Sequence, residues 1–164
     1  MSQKSLNEQR DQRLRNLEAL VERGFEAYPY DYEASHTAAQ LHAEHPEPAA
    51  GEPIEAEPVS VAGRVMLLRM LGKLTFATLQ DATGRIQVSF QKDDLEGYNA
   101  LKKVDLGDWL EVRGSLYATK TGELTVGAAE FRPLVKSLRP LPDKHHGLAD
   151  KEARYRQRYL DLLV

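Results

Sequence analysis

The sequence predicts a mainly β protein: a five-stranded barrel with a helix between strands three and four, and helical segments at either end. Three observations carry this. Five runs rich in β-formers follow one another at 59–71, 73–80, 85–91, 108–118 and 123–135, bounded by turn residues. The stretch DDLEGYNALKKV, residues 93–104, intervenes after the third run and sets Leu95, Tyr98, Leu101 and Val104 near helical spacing. Gly63 and Gly114 interrupt strands, where glycine usually marks a bulge or a barrel corner.

Three strands, a helix and then a hairpin, led by a long bent strand, is the order of an oligonucleotide-binding β-barrel, the OB-fold. An SH3-like barrel or a plain sandwich fits less well, because the helix falls between strands three and four. The barrel is assigned to residues 59–136. Before it, residues 1–58 hold an amphipathic helix over 5–24, a short second helix and an acidic linker. Leu6, Leu14, Leu17, Leu20 and Val21 approximate helical spacing, with Ser5 as cap, Glu8 three residues on and Gly24 as the stop. Arg10, Arg13 and Arg15 read either as a solvated face or as a basic strip against phosphates. Residues 36–42 form the second helix, capped by Ser35 or Thr37, and 44–58 is a linker rich in Pro, Glu and Ala. After the barrel, residues 137–164 change character. Pro140 and Pro142 stiffen a connector, and a last helix carries the apolar stripe Tyr155, Tyr159, Leu160 and Leu163 beside Arg154, Arg156 and Arg158. An amphipathic helix of this kind docks on something.

The net charge of −3 over 164 residues argues against a nucleic-acid partner only until the chain is divided. Residues 1–58 carry 5 Lys/Arg and 12 Asp/Glu, a net of −7, whereas 59–136 and 137–164 each stand at +2. The acidity lies outside the barrel, so the global charge says little about the barrel's partner. There is no cysteine, which excludes disulfides and thiolate metal sites and agrees with a cytoplasmic location. No apolar run approaches the ~18–20 residues of a membrane span, and MSQKSLNEQR has no apolar segment behind its charges to make a signal peptide.

Catalytic machinery is hard to find. No P-loop, GxSxG, HExxH or EF-hand loop occurs. His145 and His146 are neighbours in a connector with no third ligand within reach, so no metal site is assigned. The second and third strands say more. If the turn DATG closes with Gln80 opposite Arg85, then Thr78 faces Gln87, Phe76 faces Ser89 and Leu74 faces Gln91. The alternate set pairs Leu79 with Ile86, Ala77 with Val88 and Thr75 with Phe90. Opposed residues share a sheet face, so the second set is the core and the first is the outer face. In the preceding turn, Met70 opposite Lys73 pairs Arg69 with Leu74 and Leu67 with Phe76, which puts Arg69 on the outer face too. An aromatic ring among Gln and Arg suits single-stranded nucleic acid: the ring stacks a base, Arg meets phosphate or carbonyl oxygens, and Gln offers a donor and an acceptor to a base edge. On periodicity alone, a bulge that turns Phe76 into the core is the competing reading. Glu123 ends the loop of the last hairpin, TKTGELTV, beside that face, where its carboxylate either accepts the N3–H of uracil or, as most loop Glu residues do, simply faces water.

VSVAGRV, LGKLTFATLQDATGRIQ, KTGELTV and LRPLPDKHHGLADKEARYRQRYLDLL together resemble the N-terminal anticodon-binding region of bacterial class II lysyl-tRNA synthetases, from about Leu14 to Val164. The aspartyl and asparaginyl enzymes share such a barrel, and the connector favours lysine. The resemblance implies a homodimeric ligase that uses ATP and Mg2+ to attach lysine to its tRNA. Its barrel would read the U-rich lysine anticodon. It also implies that Phe76 is the stacking aromatic, Gln87 the base-reading amide, Arg69 the anticodon-contacting arginine and Glu123 the loop carboxylate. The three class II motifs, with the ATP, Mg2+ and lysine sites, are expected in a catalytic domain beyond Val164, so this chain is expected to lack catalytic activity and to need no cofactor of its own. Two other readings remain at this stage. One is a free-standing OB protein for single strands. The other is a protein-interaction barrel that docks through its last helix.

Overall fold

A computed structural model describes residues 3–141, 155, 156 and 158–161. Five strands, β1 (Val59–Leu71), β2 (Leu74–Gln80), β3 (Arg85–Gln91), β4 (Trp109–Ala118) and β5 (Leu124–Val135), close into a barrel in the order β1-β2-β3-β5-β4. All neighbours are antiparallel except β3 and β5, which pair in parallel over Gln87–Thr125, Val88–Val126 and Ser89–Gly127. This is the OB-fold expected from the order of elements.

β1 is long because it serves two partners. Its first half pairs with β4 and its second with β2, and a bulge between Val65 and Leu67 turns it from one to the other. At the corner a Cβ on Gly63 would stand 3.0 Å from the Gln80 backbone, so any side chain there would have to push the β2 backbone away by a few tenths of an ångström. The core holds Val61, Val65, Leu79, Val88, Phe90, Leu110, Val112 and Val126, and Phe90 meets Phe131 edge-on at 5.7 Å. Between β3 and β4 the chain makes a 3-10 helix, Tyr98–Lys103, rather than an α-helix over 93–104. The apolar positions are nevertheless those expected: Leu95, Tyr98, Leu101 and Val104 are all buried and plug one end of the barrel. Just before this helix, Asp93 pairs with Lys73 at 3.0 Å.

The flanking segments are fastened to the barrel. The first helix, α1 (Gln3–Val21), already includes Ser5, so Ser5 is not its cap. Its end is as expected. Gly24 at φ +89° gives its N–H to Val21 O while Phe25 N–H reaches Leu20 O, a left-handed C-terminal stop. Leu20 enters the core and Phe25 packs on Phe131. Arg13 donates to the Ser137 and Arg139 carbonyls, so it belongs neither to a free solvated face nor to a phosphate strip. Beside it lies a buried ionic cluster. Lys136, its side chain only 2 % exposed, donates to Asp108 at 2.7 Å, to Asp105 and to the Lys103 carbonyl. Asn16 donates to the same Asp105 carboxylate. Burial pushes the Asp105 carboxyl up, but Lys136, Asn16 and Arg13 outweigh it and hold it below the usual range. For Asp108, burial wins over the same lysine and the carboxyl sits above its ordinary value.

The second helix, α2 (Ala38–Glu44), has the expected Thr37 cap, as a capping box with Gln40. Its first N–H groups are also met from the barrel: Ala38 N–H donates to Asp81 at 2.7 Å and Ala39 N–H to Thr83 Oγ1. Residues 44–58 do not hang free. Gly51, Ile54 and the Glu52 carbonyl bond to Thr119, Leu116 and Ala118, so this segment straps the outer side of β4. Of the last helix, α3 (Arg158–Asp161) is described, and Tyr155 and Tyr159 are exposed. His145, His146, Pro142, Leu163 and the side chain of Leu160 lie outside the described residues.

Candidate nucleic-acid interface

The β2–β3 register is the one the turn predicted, from Gln80–Arg85 to Leu74–Gln91. Asp81 fixes it by accepting from Thr83 N, Gly84 N and Thr83 Oγ1. Burial raises that carboxyl, but these bonds and the one from Ala38 outweigh it, and Asp81 is held below the usual range. Along β2 burial alternates, with Thr75, Ala77 and Leu79 inside and Leu74, Phe76, Thr78 and Gln80 half-buried on the outer face. Phe76 is therefore outside the core, and among the described residues it has no aromatic partner.

The β1–β2 turn differs from expectation. Leu71 pairs with Leu74, Met70 with Thr75 and Arg69 with Phe76, so the register is displaced by two residues. Gly72, at φ +65°, occupies the first central position of a two-residue turn with Lys73, which a β-hairpin prefers to the displaced loop. A two-residue slip keeps every side chain on its face. Arg69 therefore remains outside, and now stands directly opposite the ring of Phe76.

The parallel contact with β5 completes the face. Gln87 Nε2 donates to Thr125 Oγ1 at 2.9 Å, and the Thr125 hydroxyl donates to the Glu123 carbonyl at 3.0 Å. Glu123 is exposed at the end of the β4–β5 loop, which is closed by hydrogen bonds between Thr119 and Glu123. One row away, Tyr117 from β4 donates its hydroxyl to Ser89 at 3.0 Å, and Ser89 lies opposite Phe76. Of the four residues singled out in the sequence, Arg69, Phe76 and Gln87 share one face, and Glu123 stands in the loop at its margin. Arg69 and Phe76 form one row, and Gln87 stands diagonal to Phe76 with Glu123 beyond it. Among the described residues, the Arg69 guanidinium and the Glu123 carboxylate have no hydrogen bond or ion pair and are open to a ligand. Ser89 lies on this face as its pairing with Phe76 predicted, but sequence reasoning missed Thr125 and Tyr117. These two arrive through β5 and β4, whose pairing across the barrel no local pattern reveals. Among the described residues no group of three or more His, Cys, Asp or Glu side chains is placed to hold a metal ion, and no helix is long and apolar enough to cross a membrane.

A closed five-stranded barrel with an aromatic ring, amides and a free guanidinium on its β1–β2–β3 face defines an OB-fold built to hold nucleic acid. Residues 59–134 match the tRNA anti-codon family, described as OB-fold nucleic acid binding domain, and this domain belongs to it. The relatives of the whole chain are more particular. It is 50 % identical over 97 % of its length to a lysine–tRNA ligase of Deinococcus radiodurans, and 54 % identical over 97 % to that of Yersinia enterocolitica. Against the lysine–tRNA ligase of an Enterobacter species it is 53 % identical over 96 % of its length. The chain spans about a third of the length of these curated relatives, 32 % in each case. The resemblance to lysyl-tRNA synthetases read from the motifs therefore extends over nearly the whole chain.

Proposed function

We propose that this chain serves a lysine–tRNA ligase by holding the U-rich anticodon loop of the lysine tRNA on the β1–β2–β3 face. The observation that carries the reading is the outward ring of Phe76 between Arg69 and the Gln87–Thr125 pair. Phe76 stacks an unpaired base, Arg69 meets a phosphate or a base carbonyl, and Gln87 and Glu123 engage base edges. Lysine attachment, with its ATP and Mg2+, its class II motifs and its homodimer, belongs on this reading to the rest of the ligase. The 164-residue chain alone then neither activates lysine nor charges tRNA, and lysine-dependent ATP–pyrophosphate exchange by the pure chain would contradict that.

The direct test is a titration with two RNA stem-loops that differ only in U or C at the middle anticodon position. Preference for U is expected at about 1–3 kcal/mol, the cost of leaving a buried hydrogen-bonding group unmatched. Equal binding to both, or to any single strand, would instead mean an OB barrel that grips backbone and stacks bases without reading them.

A further inference from the structure

The hydrogen-bond chain behind Gln87 has a direction. Thr125 is fully buried, and its hydroxyl has one proton to give. That proton goes to the Glu123 carbonyl, which can only accept, so toward Gln87 the hydroxyl must itself accept. The amide therefore turns its NH2 inward and leaves Oε1 and one N–H for a ligand. Reversing the amide would require the hydroxyl to donate to Oε1 and abandon the carbonyl. The Glu123 carbonyl keeps the Thr119 N–H at 3.0 Å in either case. The two orientations thus differ by one net hydrogen bond, roughly 2- to 13-fold in population.

We propose that Thr125 is a positioning residue that fixes the polarity of the Gln87 amide and thereby selects uracil over cytosine. This rests on the reading of Gln87 as a base-contacting residue. Uracil presents an N3–H between two carbonyl oxygens, whereas cytosine presents a bare N3 beside an amino group. An amide whose oxygen is held in one place accepts from the uracil N3–H while its remaining N–H donates to a uracil carbonyl. Offered cytosine, the same oxygen faces a lone pair. With the amide reversed, donor and acceptor exchange places and the cytosine edge is matched instead. Discrimination therefore needs a residue that stops the amide from reversing, and Thr125 is the hydrogen-bond partner holding it.

The test compares the full chain with Thr125→Val, Thr125→Ser and Gln87→Ala, each titrated with the U and C stem-loops after a thermal melt to establish folding. Thr125→Val removes the hydroxyl at nearly constant size, and Thr125→Ala serves if valine does not fold. With the amide free to reverse, U binding falls about twofold, because half the molecules present the wrong edge. Binding of the C loop rises, and the U/C ratio drops roughly 2- to 13-fold. Thr125→Ser keeps the parent ratio. A merely structural role would weaken both loops together and leave the ratio unchanged. An unchanged ratio in Thr125→Val and Thr125→Ala, alongside a collapsed ratio in Gln87→Ala, would overturn the role of Thr125 and leave base reading by Gln87 standing. A ratio unmoved by Gln87→Ala would overturn both.

Discussion

Phe76→Ala separates a ring held for a ligand from a ring held for the fold. Fully burying a phenylalanine side chain is worth about 1.5–3 kcal/mol. Phe76 is half-buried on the outer face, belongs to no part of the core cluster and would leave no sealed cavity behind. Its truncation should therefore cost about half that, roughly 1 kcal/mol of stability. Phe90 is the internal control. On the neighbouring strand, paired with Thr75 on the opposite face, it is 0 % exposed against Phe131, and Phe90→Ala should cost about 3–5 kcal/mol. Binding should show the reverse order of importance. A base stacked on an aromatic ring contributes about 1–3 kcal/mol, so Phe76→Ala should weaken binding of a U-rich anticodon loop about 5- to 150-fold. Urea unfolding supplies the first number and fluorescence anisotropy with a labelled loop the second. A stability loss near that of Phe90→Ala would mean the ring supports the barrel. Parent-like affinity with retained stability would mean it stacks nothing, and the placement of the anticodon on this face would fail.

Three other outcomes follow from the fold. A Cβ on Gly114 would overlap the Gly127 carbonyl oxygen and stand 2.7 Å from its carbon, so Gly114→Ala must force β4 and β5 apart and should lower the melting temperature sharply; Gly127→Ala, whose nearest neighbour is 3.5 Å away, should melt near the parent, and equal melting of the two would contradict the close approach. Lys136→Met strips the cation from two carboxylates in a buried site and should cost about 3–5 kcal/mol in urea unfolding, a loss under about 1 kcal/mol counting against the cluster. Asp81, held below its ordinary value, contributes stability that is present above its unfolded value and disappears as pH falls through its folded one. Asp81→Asn should therefore lower stability at neutral pH, with the gap from the parent closing under acid; a gap independent of pH would show that the charge is not what the bonds from Ala38, Thr83 and Gly84 sustain.

What was legible in the sequence was legible for local reasons. The β2–β3 register could be read because a four-residue turn with Asp and Gly admits few closures, and the alternation of Thr75, Ala77 and Leu79 then decided which side was inside. The β1–β2 turn was read two residues out, since M-L-G-K offers two places for a tight turn and only the backbone freedom of Gly72 chooses between them. The face of Arg69 survived the error because it depends on parity alone. Lys136 could not be recognised as buried: at the end of a strand it reads as any solvated lysine, and its partners Asp105, Asp108 and the Lys103 carbonyl are distant in sequence. The strap at 49–54 was read as linker because its Pro and Glu content describes what it lacks in packing, not the backbone groups it supplies to β4. Thr125 was invisible for the same reason as the β3–β5 contact, a parallel pairing between strands separated by a helix and a hairpin.

The closed ring also bears on solubility. Met70 and Leu71 are exposed, and with Leu67, Leu74 and Phe76 they give the region around β1–β2 an adhesive, oily surface. On an open sheet such a surface beside a free strand margin would invite another chain to add itself, the first step toward fibrils. Here both margins of β2 are occupied, by β1 and by β3, so copies that touch through these side chains find no backbone template along that strand to extend the contact. Circular closure thus uncouples the stickiness of outward apolar side chains, the half-buried ring of Phe76 among them, from strand growth.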